Sequence, residues 1–583
     1  MNQGPSRSNN TGCDPSRRRL WARFQNPVPR GTCRTGIESA NGGCQLANYG
    51  SRYLLIVVAI IVGLAGHDPW KQDETYIFGI VQHILESGDW VVPTVAGEPF
   101  MEKPPMYYWV AALLSKAFSP WLLLHDGARL ASGCFMALTC VTSGLTARRI
   151  WGQGAGATCV LVLLGCLGTV MYSHFMVTDL AVMAGFSLSL AAFPYADTHP
   201  MRAGSLLGCG VGMGFLGKGL LLPGVLGIAC LLLPALFPAW RKRSYFYTLC
   251  IATVISLPAF LVWPTTLYLR SPELFHEWFW MNNVGRFLGF SVDQLGAPHR
   301  RGYWWTIMPW FAFPALPLAA VTLWKSRNIL VRDQRVQFLV ICCVVYMSTL
   351  ALAASAREAY ALPLLVALSL LATPAALMLP RRTDLGWTII SICMLGAIAA
   401  TIWAVWLLAA SGHPPDWAWL NRQIKVDPAS AVVGAGFWLG IMMTFFAIFM
   451  VGLISSRTSI AITIWVTGLT LCWGLLATLW LPWIDAAKSY RQVFLALGES
   501  LPKERGCLAS TGLGESERAM LHYVLGIDTQ RTEIVGDRGC PHILVEGLAR
   551  SQPRSPPSPG QRLLWQGARQ QDARERFWLY GTQ

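Results

Sequence analysis

The chain has 583 residues, of which 53% are hydrophobic and 13% are charged. This balance excludes an ordinary soluble globular protein and is typical of a protein that crosses a membrane many times. The formal net charge of +15 suits nucleic-acid binding, but the basic residues form short clusters between long apolar runs. Because that distribution is typical of the cytoplasmic loops of membrane proteins, we expect no nucleic acid as a partner.

The first part of the chain, residues 1–50, is polar, basic and rich in Gly, Asn and Ser. It lacks the apolar core of a cleavable signal peptide. We interpret it as a disordered cytoplasmic tail or as sequence that precedes the true translation start.

Apolar runs near membrane-spanning length follow one another between residues 51 and 484. A shorter run, Met106 to Phe118, is more typical of an interfacial helix than of a full crossing. Without it, the runs predict about thirteen transmembrane helices, at roughly 51–67, 128–149, 156–173, 178–195, 203–217, 220–238, 246–268, 303–324, 336–354, 358–379, 386–410, 431–454 and 460–483.

The basic clusters predict the orientation, because short cytoplasmic loops carry an excess of Lys and Arg. If every cluster is cytoplasmic, the parity of crossings requires that Met106 to Phe118 does not cross. The N-terminus is then cytoplasmic, and both the first loop, residues 68–127, and the C-terminus are periplasmic. The clusters are Arg17–Arg19, Arg52, Arg148–Arg149, Arg241–Arg243, Lys325–Arg335, Arg381–Arg382 and Arg457.

Two acidic residues, Asp73 and Glu74, closely follow the first predicted span. A carboxylate at the mouth of a membrane cavity can act as a general base or orient an acceptor group. Acidic residues here also fit a solvated helix start, where they offset the helix dipole. The residues alone leave both interpretations open.

Further along the same loop, Glu102 and Lys103 precede two prolines. Pro104 and Pro105 keep the preceding backbone extended, so a stiff loop can present both side chains. Lysine is a compact cation that suits a phosphate oxygen. A lysine that reaches towards lipid headgroups is the alternative.

Two ionisable residues accompany the apolar runs themselves. Asp179 lies at the start of the run 178–195, and Lys218 lies between two short apolar runs. Charged residues at such depths are costly, and they usually line a water-filled cavity or pair with one another. A structural ion pair and a role in an active site both remain open.

The remaining candidates lie in two later outer segments. Arg286 and His299 belong to an aromatic-rich loop, where arginine can bind phosphate with two hydrogen bonds. The same loop also fits an amphipathic interfacial helix. Arg357 and Tyr360, at the start of another predicted span, add a cation and a phenol that can reach a phosphate.

The C-terminal region, residues 485–583, lacks apolar spans. It contains strand-like stretches, GCLAST and HILVEG, with a helical GESERAMLHYVLG between them, which predict a small α/β domain. Cys507 and Cys540 are its only two cysteines. If the domain is periplasmic, they can form a disulfide in that oxidising compartment.

The stretch DETYIFGIVQHILESGDWVVPTVAGEPFMEKPPMYYW resembles the signature of the bacterial aminoarabinose (4-amino-4-deoxy-L-arabinose) lipid A transferases, a family related to the protein O-mannosyltransferases. Further family motifs follow in order along the membrane region. They are ARLASG, VTDLAVMAGF, GMGFLGKG, RFLG, PHRRGYWW and SAREAYALP. An ordered series of short motifs is much more specific than any one of them.

This resemblance implies an all-α polytopic membrane protein with the C-type glycosyltransferase fold, about thirteen transmembrane helices and periplasmic juxtamembrane helices, plus a small C-terminal α/β periplasmic domain. We therefore expect a monomeric, multi-pass inner-membrane glycosyltransferase whose active site faces the periplasm. The donor would be an undecaprenyl-phosphate-linked sugar, expected to be an amino sugar, and the acceptor a lipid A phosphate. The alternatives are a protein or another glycan as acceptor, or a transporter of lipid-linked sugar.

The resemblance also implies roles for the candidate residues. Asp73 would be the carboxylate near the reaction centre, with Asp179 as a second catalytic candidate. The donor phosphate would be bound by Lys103, Arg357, Tyr360 and Lys218. The cavity or the acceptor would be contacted by Glu74, Tyr76, Glu102, Arg286 and His299.

Two departures from the family pattern stand out. Tyr76 occupies a position that is often arginine, so one phosphate contact is missing or comes from elsewhere, with Arg357 as the candidate. Asn282 and Asn283 replace a Glu-His pair whose histidine can bind a metal with the acidic residue of the EKP motif, here Glu102. Because amides are poor zinc ligands, we expect metal binding to be weakened or absent.

Overall fold

The computed structural model of the chain describes residues 38–295, 298–300, 302–327, 332–421, 424–426, 433–453, 460–502, 506–536, 539–548, 560–569 and 575–581. Most of the predicted tail lies outside the described residues. So do the basic residues Arg17–Arg19 and Arg457, which contributed to the predicted orientation.

Helices dominate the chain as far as residue 500. Up to the long loop before residue 303 they are α1 (Glu38–Ile61), α2 (Asp73–Ser87), α3 (Met106–Phe118), α4 (Leu124–Trp151), α5 (Ala155–Leu164), α6 (Leu167–Tyr172), α7 (Asp179–Leu190), α8 (Pro200–Lys218), α9 (Leu221–Leu236), α10 (Arg243–Arg270), α11 (Pro272–His276), α12 (Arg286–Leu288) and α13 (Val292–Leu295). A π-helix, Glu277–Gly285, precedes α12, and 3-10 turns lie at Phe193–Tyr195, Pro238–Trp240 and Glu358–Ala361.

The later helices are α14 (Tyr303–Phe311), α15 (Ala315–Ser326), α16 (Gln334–Leu352), α17 (Leu362–Leu377), α18 (Arg381–Ala410), α19 (Ala418–Asn421), α20 (Ala435–Leu453), α21 (Ile460–Leu476), α22 (Leu481–Lys488), α23 (Arg491–Ser500), α24 (Glu515–Leu525) and α25 (Thr532–Val535). The strands are β1 (Thr94–Val95), β2 (Glu98–Pro99), β3 (Leu508–Thr511), β4 (Gln530–Arg531), β5 (His542–Gly547), β6 (Arg562–Gly567) and β7 (Arg576–Gly581).

Among the described residues, six helices are long and apolar enough to cross a membrane, or up to eight if two bent pairs each form one span. The bent pairs are α14 with α15, at 92°, and α21 with α22, at 65°. Several other predicted spans coincide with shorter apolar helices, such as α5 and α9. The multi-pass helical architecture therefore agrees with the sequence, while the number thirteen stays a prediction.

Small residues allow the central helices to approach closely. A methyl group added at Gly185 of α7 would lie 2.6 Å from the carbonyl oxygen of Gly210 in α8. Contacts of this kind are typical of membrane helices, because van der Waals packing rather than exclusion of water holds such helices together. They fix α7 against α8, and the two helices carry Asp179 and Lys218.

Cationic side chains gather at one end of the bundle. The guanidinium groups of Arg149 and Arg202 stack on the ring of Tyr195, 4.8 and 4.5 Å from its centroid. Arg335 donates a hydrogen bond to the carbonyl of Ile150, at 3.2 Å. These contacts surround the last turn of α4, whereas Arg129, near its opposite end and roughly 30 Å away, contacts Glu74 of the first loop. Two of the predicted basic clusters, Arg148–Arg149 and Lys325–Arg335, thus lie at the same end of α4.

The short run Met106 to Phe118 forms a helix with those bounds, α3, of 13 residues. It is about 20 Å long, shorter than the roughly 30 Å hydrocarbon core of a bilayer. It packs antiparallel on α4, because Tyr107 hydrogen-bonds Ser132 at 2.6 Å while Ser115 donates to the carbonyl of Leu124 at 2.7 Å. That α3 does not cross the membrane stays a prediction.

The C-terminal part forms a five-stranded sheet with the order β4-β3-β5-β7-β6. The first three strands are parallel, and β7 pairs antiparallel with both β5 and β6. The predicted strands and the helix between them are confirmed as β3, β5 and α24. The predicted disulfide is also confirmed: Cys507 bonds Cys540, with the Cα atoms 5.2 Å apart.

Polar contacts attach this sheet unit to the loop that follows α1. Arg491 forms an ion pair with Asp68 at 2.5 Å. Thr75 donates a hydrogen bond to Ser516 at 2.8 Å, which joins the start of α2 to the start of α24. Because α2 carries Asp73, these contacts place the sheet unit beside the candidate site.

The disulfide generates a test of the fold. Its loop spans 33 positions, so the Cys507→Ser/Cys540→Ser variant should lose about 3 to 4 kcal/mol of stability in the sheet unit. Thiol labelling of unfolded, unreduced protein checks the bond directly. Cys393, which is exposed and free, should be labelled and provides the positive control. Labelling of Cys507 and Cys540 to the same extent would contradict the prediction.

Candidate functional site

A polar cavity of about 830 Å³ lies between the first loop and the sheet unit. It is lined by charged side chains of both signs, from the first loop, the π-helix region, the segment before α17, the start of α24 and β4. The charged residues are Lys71, Asp73, Glu98, Glu102, Glu277, Arg286, Arg357, Glu515, Glu517, Arg518 and Arg531. Substrates with several polar groups suit such a lining.

Asp73 is the first residue of α2 and faces this cavity. Arg357 donates to both of its carboxylate oxygens, at 3.0 and 2.8 Å, and the hydroxyl of Tyr76 donates to Oδ1 at 2.6 Å. Burial opposes the charged form of Asp73, but Lys103 and Arg357 outweigh it and lower its pKa to about 2. Asp73 is therefore ionised at neutral pH.

Lys103 lies beside this ion pair, and its side chain is buried, with 3% of the residue exposed. Its ammonium donates to the hydroxyl of Tyr76 at 3.2 Å. Burial disfavours the charge, but Glu102, Asp73 and Asp179 outweigh it and raise the pKa of Lys103. No carboxylate oxygen of the described residues lies within 4.0 Å of the ammonium. Lys103 is thus a buried cation without a direct anionic partner in the described structure.

Glu102, the neighbour of Lys103, pairs with Arg286 at 2.5 Å. Burial opposes the charge of Glu102, but Lys103 and Arg286 lower its pKa below the usual value. The pair connects the first loop to α12, 184 positions away in the chain. It forms part of the boundary of the polar cavity.

A second cavity, of about 480 Å³, begins at this boundary. Most of its wall is apolar and comes from α9, from the segment around α12 and from the end of α16. It shares four residues with the polar cavity, namely Glu102, Asn282, Arg286 and Tyr360. Lys103 and Lys218 lie on its lining. The two cavities therefore meet at a ring of charged and polar side chains.

Asp179 and Lys218 form an ion pair with each other. The ammonium of Lys218 also lies 3.4 Å from the centroid of the Tyr360 ring, a cation–π contact. Lys218 thus lines the apolar cavity and contacts Tyr360, which belongs to both cavities. Asp179, a predicted catalytic residue, reaches this region only through its pair with Lys218 and is not part of the lining of either cavity. The sequence left a structural ion pair and a site role open, and the geometry is compatible with both.

The chain resembles proteins of known function in both sequence and fold. A family model for dolichyl-phosphate-mannose-protein mannosyltransferase matches residues 102–263. An undecaprenyl phosphate-alpha-4-amino-4-deoxy-L-arabinose arabinosyl transferase of Pseudomonas paraeruginosa is 30% identical over 339 residues, 56% of this chain and 58% of that protein. A protein of the same name from Pseudomonas savastanoi pv. phaseolicola is 28% identical over 338 residues, 55% of this chain and 59% of that protein. The predicted resemblance to the aminoarabinose transferases is confirmed.

The match spans less than two thirds of the length of these curated relatives. A crystal structure of ArnT from Cupriavidus metallidurans bound to undecaprenyl phosphate matches with a TM-score of 0.63. The two proteins are 17% identical, and the match covers 93% of this chain and 98% of that one. The aminoarabinose transferase fold thus extends over nearly the whole chain.

Within this aminoarabinose transferase-like fold, Glu74 lies apart from the predicted cavity. It is buried and accepts a hydrogen bond from Nε of Arg129 at 2.9 Å. It also accepts hydrogen bonds from the backbone N–H groups of Trp70 and Met176. Because Glu74 is the second residue of α2, its side chain points to a different side of the helix from that of Asp73. Glu74 therefore connects loops, and the structure does not place it at the cavity.

His299 also lies away from both cavities. Its Nδ1 lies 2.8 Å from the carbonyl oxygen of Ala353, and the adjacent Pro298 forms a bridge with Ser355. His299 thus holds the segment that leads to Arg357. Its effect on the site is indirect, because it positions that loop.

At the predicted metal position, the amide of Asn283 is engaged in hydrogen bonds within the protein. That metal binding is weakened or absent stays a prediction. Nδ2 of Asn283 donates to the carbonyl of Trp278 at 2.9 Å, and its Oδ1 accepts from the N–H of Leu220 at 3.2 Å. Gly219, at a φ of 75°, leaves room for this amide. Oε1 of Glu102 pairs with Arg286, so a metal at this position would compete with that ion pair. Asn283 instead links the π-helix by a hydrogen bond to Leu220, in the turn between α8 and α9.

Sequence reasoning missed the side chains that the sheet unit contributes to the cavity. Glu517, Arg518 and Arg531 lie more than 400 positions after Asp73 in the chain and line the same cavity. Lys71 of the first loop was also missed. It lines the same cavity and pairs with Glu517 at 2.7 Å. Local sequence carries no signal for these contacts, because only the docking of α24 on α2 creates them.

Three carboxylates, Glu517, Glu546 and Glu575, form a cluster whose oxygens lie within 4.8 Å of one another. Lys71 and Arg569 contribute positive charge to this cluster, Lys71 through pairs with Glu517 and Glu575 and Arg569 through a pair with Glu575. Burial, Glu517 and Glu575 raise the pKa of Glu546 to about 8 from its ordinary 4.5. Glu546 is therefore mostly protonated in the folded protein at neutral pH.

The position of Glu74 predicts a loss of stability on substitution. Glu74→Gln leaves the buried guanidinium of Arg129 with one carboxylate fewer, so it should lower the unfolding free energy by about 3 kcal/mol. Thermal unfolding in detergent measures the loss. Glu86→Gln, an exposed change at the other end of α2, is the control and should alter stability by less than about 1 kcal/mol. Equal stabilities of the two variants would refute the structural role of Glu74.

The raised pKa of Glu546 predicts a pH dependence. The folded state binds a proton that the unfolded state releases above about pH 4.5, so the contribution to stability falls as pH rises towards 8. Protease resistance of the sheet unit should therefore be greater at pH 5.5 than at pH 8.5. Glu546→Gln should reduce this difference, and an unchanged pH profile in that variant would contradict the assignment.

Proposed function

We propose that the chain is a membrane glycosyltransferase that moves a sugar from an undecaprenyl-phosphate-linked donor to a phosphate of lipid A on the periplasmic side. The observation that carries this proposal is Lys103, a buried cation without a direct carboxylate partner in the described structure. It lines the apolar cavity next to the junction with the polar one. Nearby carboxylates keep the ammonium charged, but its only hydrogen bond in the described structure goes to Tyr76, so it can donate to an anionic ligand.

The shapes and linings of the two cavities support a lipid-linked donor. The apolar cavity suits the polyprenyl chain, because its walls are leucine, valine, isoleucine and phenylalanine side chains. The phosphate would lie beside Lys103, and the sugar would enter the polar cavity. The names of the matched family and of the curated relatives both include a polyprenyl phosphate, dolichyl or undecaprenyl. The segment shared with the mannosyltransferase model, residues 102–263, contains Lys103, Asp179 and Lys218.

The proposed reaction is a single displacement at the anomeric carbon of the sugar. An acceptor oxygen forms a bond to that carbon while the bond from the carbon to the donor phosphate oxygen breaks. The leaving polyprenyl phosphate keeps the electron pair, and Lys103 stabilises the added negative charge. Positioning of donor and acceptor at the cavity junction supplies the rest of the rate enhancement.

Asp73 has the charge and position of an electrostatic partner rather than of a strong base. A carboxylate with a pKa of about 2 has little affinity for a proton at neutral pH. A phosphate acceptor is already ionised and needs no base, so Asp73 would orient the acceptor and stabilise positive charge on the sugar. The bidentate contact with Arg357 holds it in place for that role.

The proposal includes no metal ion. Lys103 and the nearby arginines supply positive charge at the junction, and Asn283 is held by backbone groups. The identity of the donor sugar as an amino sugar, and of lipid A as acceptor, rests on the resemblance to the aminoarabinose transferases.

Substitution at the junction tests the function. Lys103→Met keeps an apolar stem without the charge, and Asp73→Asn keeps the shape without the carboxylate. Each should lower transfer by about 100-fold or more, because groups that stabilise developing charge contribute this much. The measurement is the mass spectrum of lipid A from a deletion strain that expresses each variant. Lys116→Ala, an exposed change in the first loop, is the matched control.

Immunoblots of the membrane fraction show whether each variant inserts. Normal modified lipid A in either junction variant would reject the assigned site. If purified protein instead moves labelled lipid-linked sugar across liposomes and forms no glycosidic bond, the transporter alternative replaces the transferase.

A further inference from the structure

Two arginines of the sheet unit share one carboxylate at the far wall of the polar cavity. Arg518, in the first turn of α24, lies 2.9 Å from Oε2 of Glu98 through its Nη1. Arg531, in β4, donates to the same oxygen from its Nη1 at 3.1 Å. Glu98 lies on β2, in the small hairpin of the first loop. The two arginines share the single negative charge of Glu98, and a second carboxylate, Glu533, lies 3.9 Å from Nε of Arg531.

Arg518 is buried, with 3% of its surface exposed, yet part of its hydrogen-bonding capacity is unused. Within the described part of the chain, Nε and Nη1 of Arg518 and Nε of Arg531 have no hydrogen-bond acceptor in suitable geometry. A buried donor without an acceptor costs free energy, so such a site favours a ligand that supplies oxygens. Both side chains line the cavity, so a ligand there can reach them.

The other cations of the cavity are arranged differently. Arg357 pairs with Asp73, Arg286 with Glu102, and Lys71 with Glu517 and Glu575. Each of these cations has at least one carboxylate that it does not share with another arginine of the cavity wall. Arg531 also lies 3.9 Å from Glu533, whereas Arg518 has Glu98 as its only ion-pair partner among the described residues. Only at Glu98, among the described residues of the lining, do two arginines depend on one carboxylate for their shortest ion pairs.

We propose that Arg518 and Arg531 form a second anion-binding subsite, which holds a phosphate monoester of the acceptor away from the reacting centre. The planar guanidinium groups match the oxygens of a phosphate, which can accept from several donors at once. The bound phosphate competes with Glu98 for the two arginines. This inference rests on the proposed function, because it deepens the acceptor side of the same site.

A direct binding experiment isolates the subsite from the donor site. Inorganic phosphate is titrated into full-length protein in detergent that carries Lys103→Met, so that the donor-phosphate position is weakened. Adding Arg518→Gln should weaken the phosphate Kd by about tenfold, the effect of losing one charge-assisted contact. Arg562→Gln, an exposed change in the same sheet, should leave the Kd unchanged.

Glu98→Gln separates a ligand site from a purely structural bridge. If Glu98 competes with phosphate, its neutralisation should tighten phosphate binding by about threefold. If the arginines serve only to hold the hairpin, Glu98→Gln should weaken binding or leave it unaltered. The inference is overturned by that second result, or by an unchanged Kd in the Arg518→Gln protein.

Transfer assays connect the subsite to the acceptor. With lipid A that carries two phosphates, Arg518→Gln should raise the KM for acceptor about tenfold and leave the KM for donor unchanged. With monophosphoryl lipid A the rise should be much smaller, which distinguishes a phosphate of the acceptor from free phosphate. An equal rise with both acceptors would overturn the assignment. If the wild-type protein transfers sugar to neither acceptor, the transferase proposal fails, and the phosphate titration alone decides the subsite.

Discussion

The bidentate ion pair between Asp73 and Arg357 closes the site, because it joins parts of the chain that are 284 positions apart. Asp73 is the first residue of α2. Arg357 lies just before the 3-10 turn that leads into α17, and α17 is part of the buried core. The hydroxyl of Tyr76 extends this pair to Lys103. A single connected set of polar contacts thereby fixes the carboxylate and the buried lysine relative to each other, before any substrate binds.

Low dielectric surroundings make every unpaired charge in this region costly, so most cations of the cavity already have a carboxylate. Binding of an anionic substrate then exchanges one partner for another and does not bury a new isolated charge. Arg286 with Glu102 and Lys218 with Asp179 follow this arrangement. Lys103 departs from it, since its hydrogen bond goes to a phenol. Lys103 is therefore the position at which a bound phosphate would gain a cation without displacing a carboxylate.

Much of the membrane part of the site could be predicted, because its residues lie in short local motifs. Asp73, Glu102 and Lys103 occur within one loop, and Asp179 and Lys218 interrupt apolar runs. Arg357 was the candidate to supply the phosphate contact that Tyr76 lacks. In the structure its guanidinium contacts Asp73, which also accepts from Tyr76, and its contact with a phosphate stays a prediction.

The limits of sequence reasoning follow from periodicity and from docking. Glu74 was grouped with Asp73 because the two are adjacent, yet consecutive helical residues point in directions about 100° apart. Its partner, Arg129, lies in the recognised ARLASG motif, but the motif gives no partner for the charge. The cavity residues of the sheet unit could not be predicted, because the contact of α24 with α2 joins segments that share no local pattern.

Because the sheet unit docks on α2, the two cavities are lined by different parts of the chain. Among the described residues, the lining of the apolar cavity ends at Tyr360, so the sheet unit contributes nothing to it. The polar cavity, in contrast, takes Glu517, Arg518 and Arg531 from that unit. Substitutions in the sheet unit can therefore change what enters the polar cavity without changing the apolar one. On the proposed function, donor recognition then belongs to the membrane helices, and the sheet unit selects the acceptor.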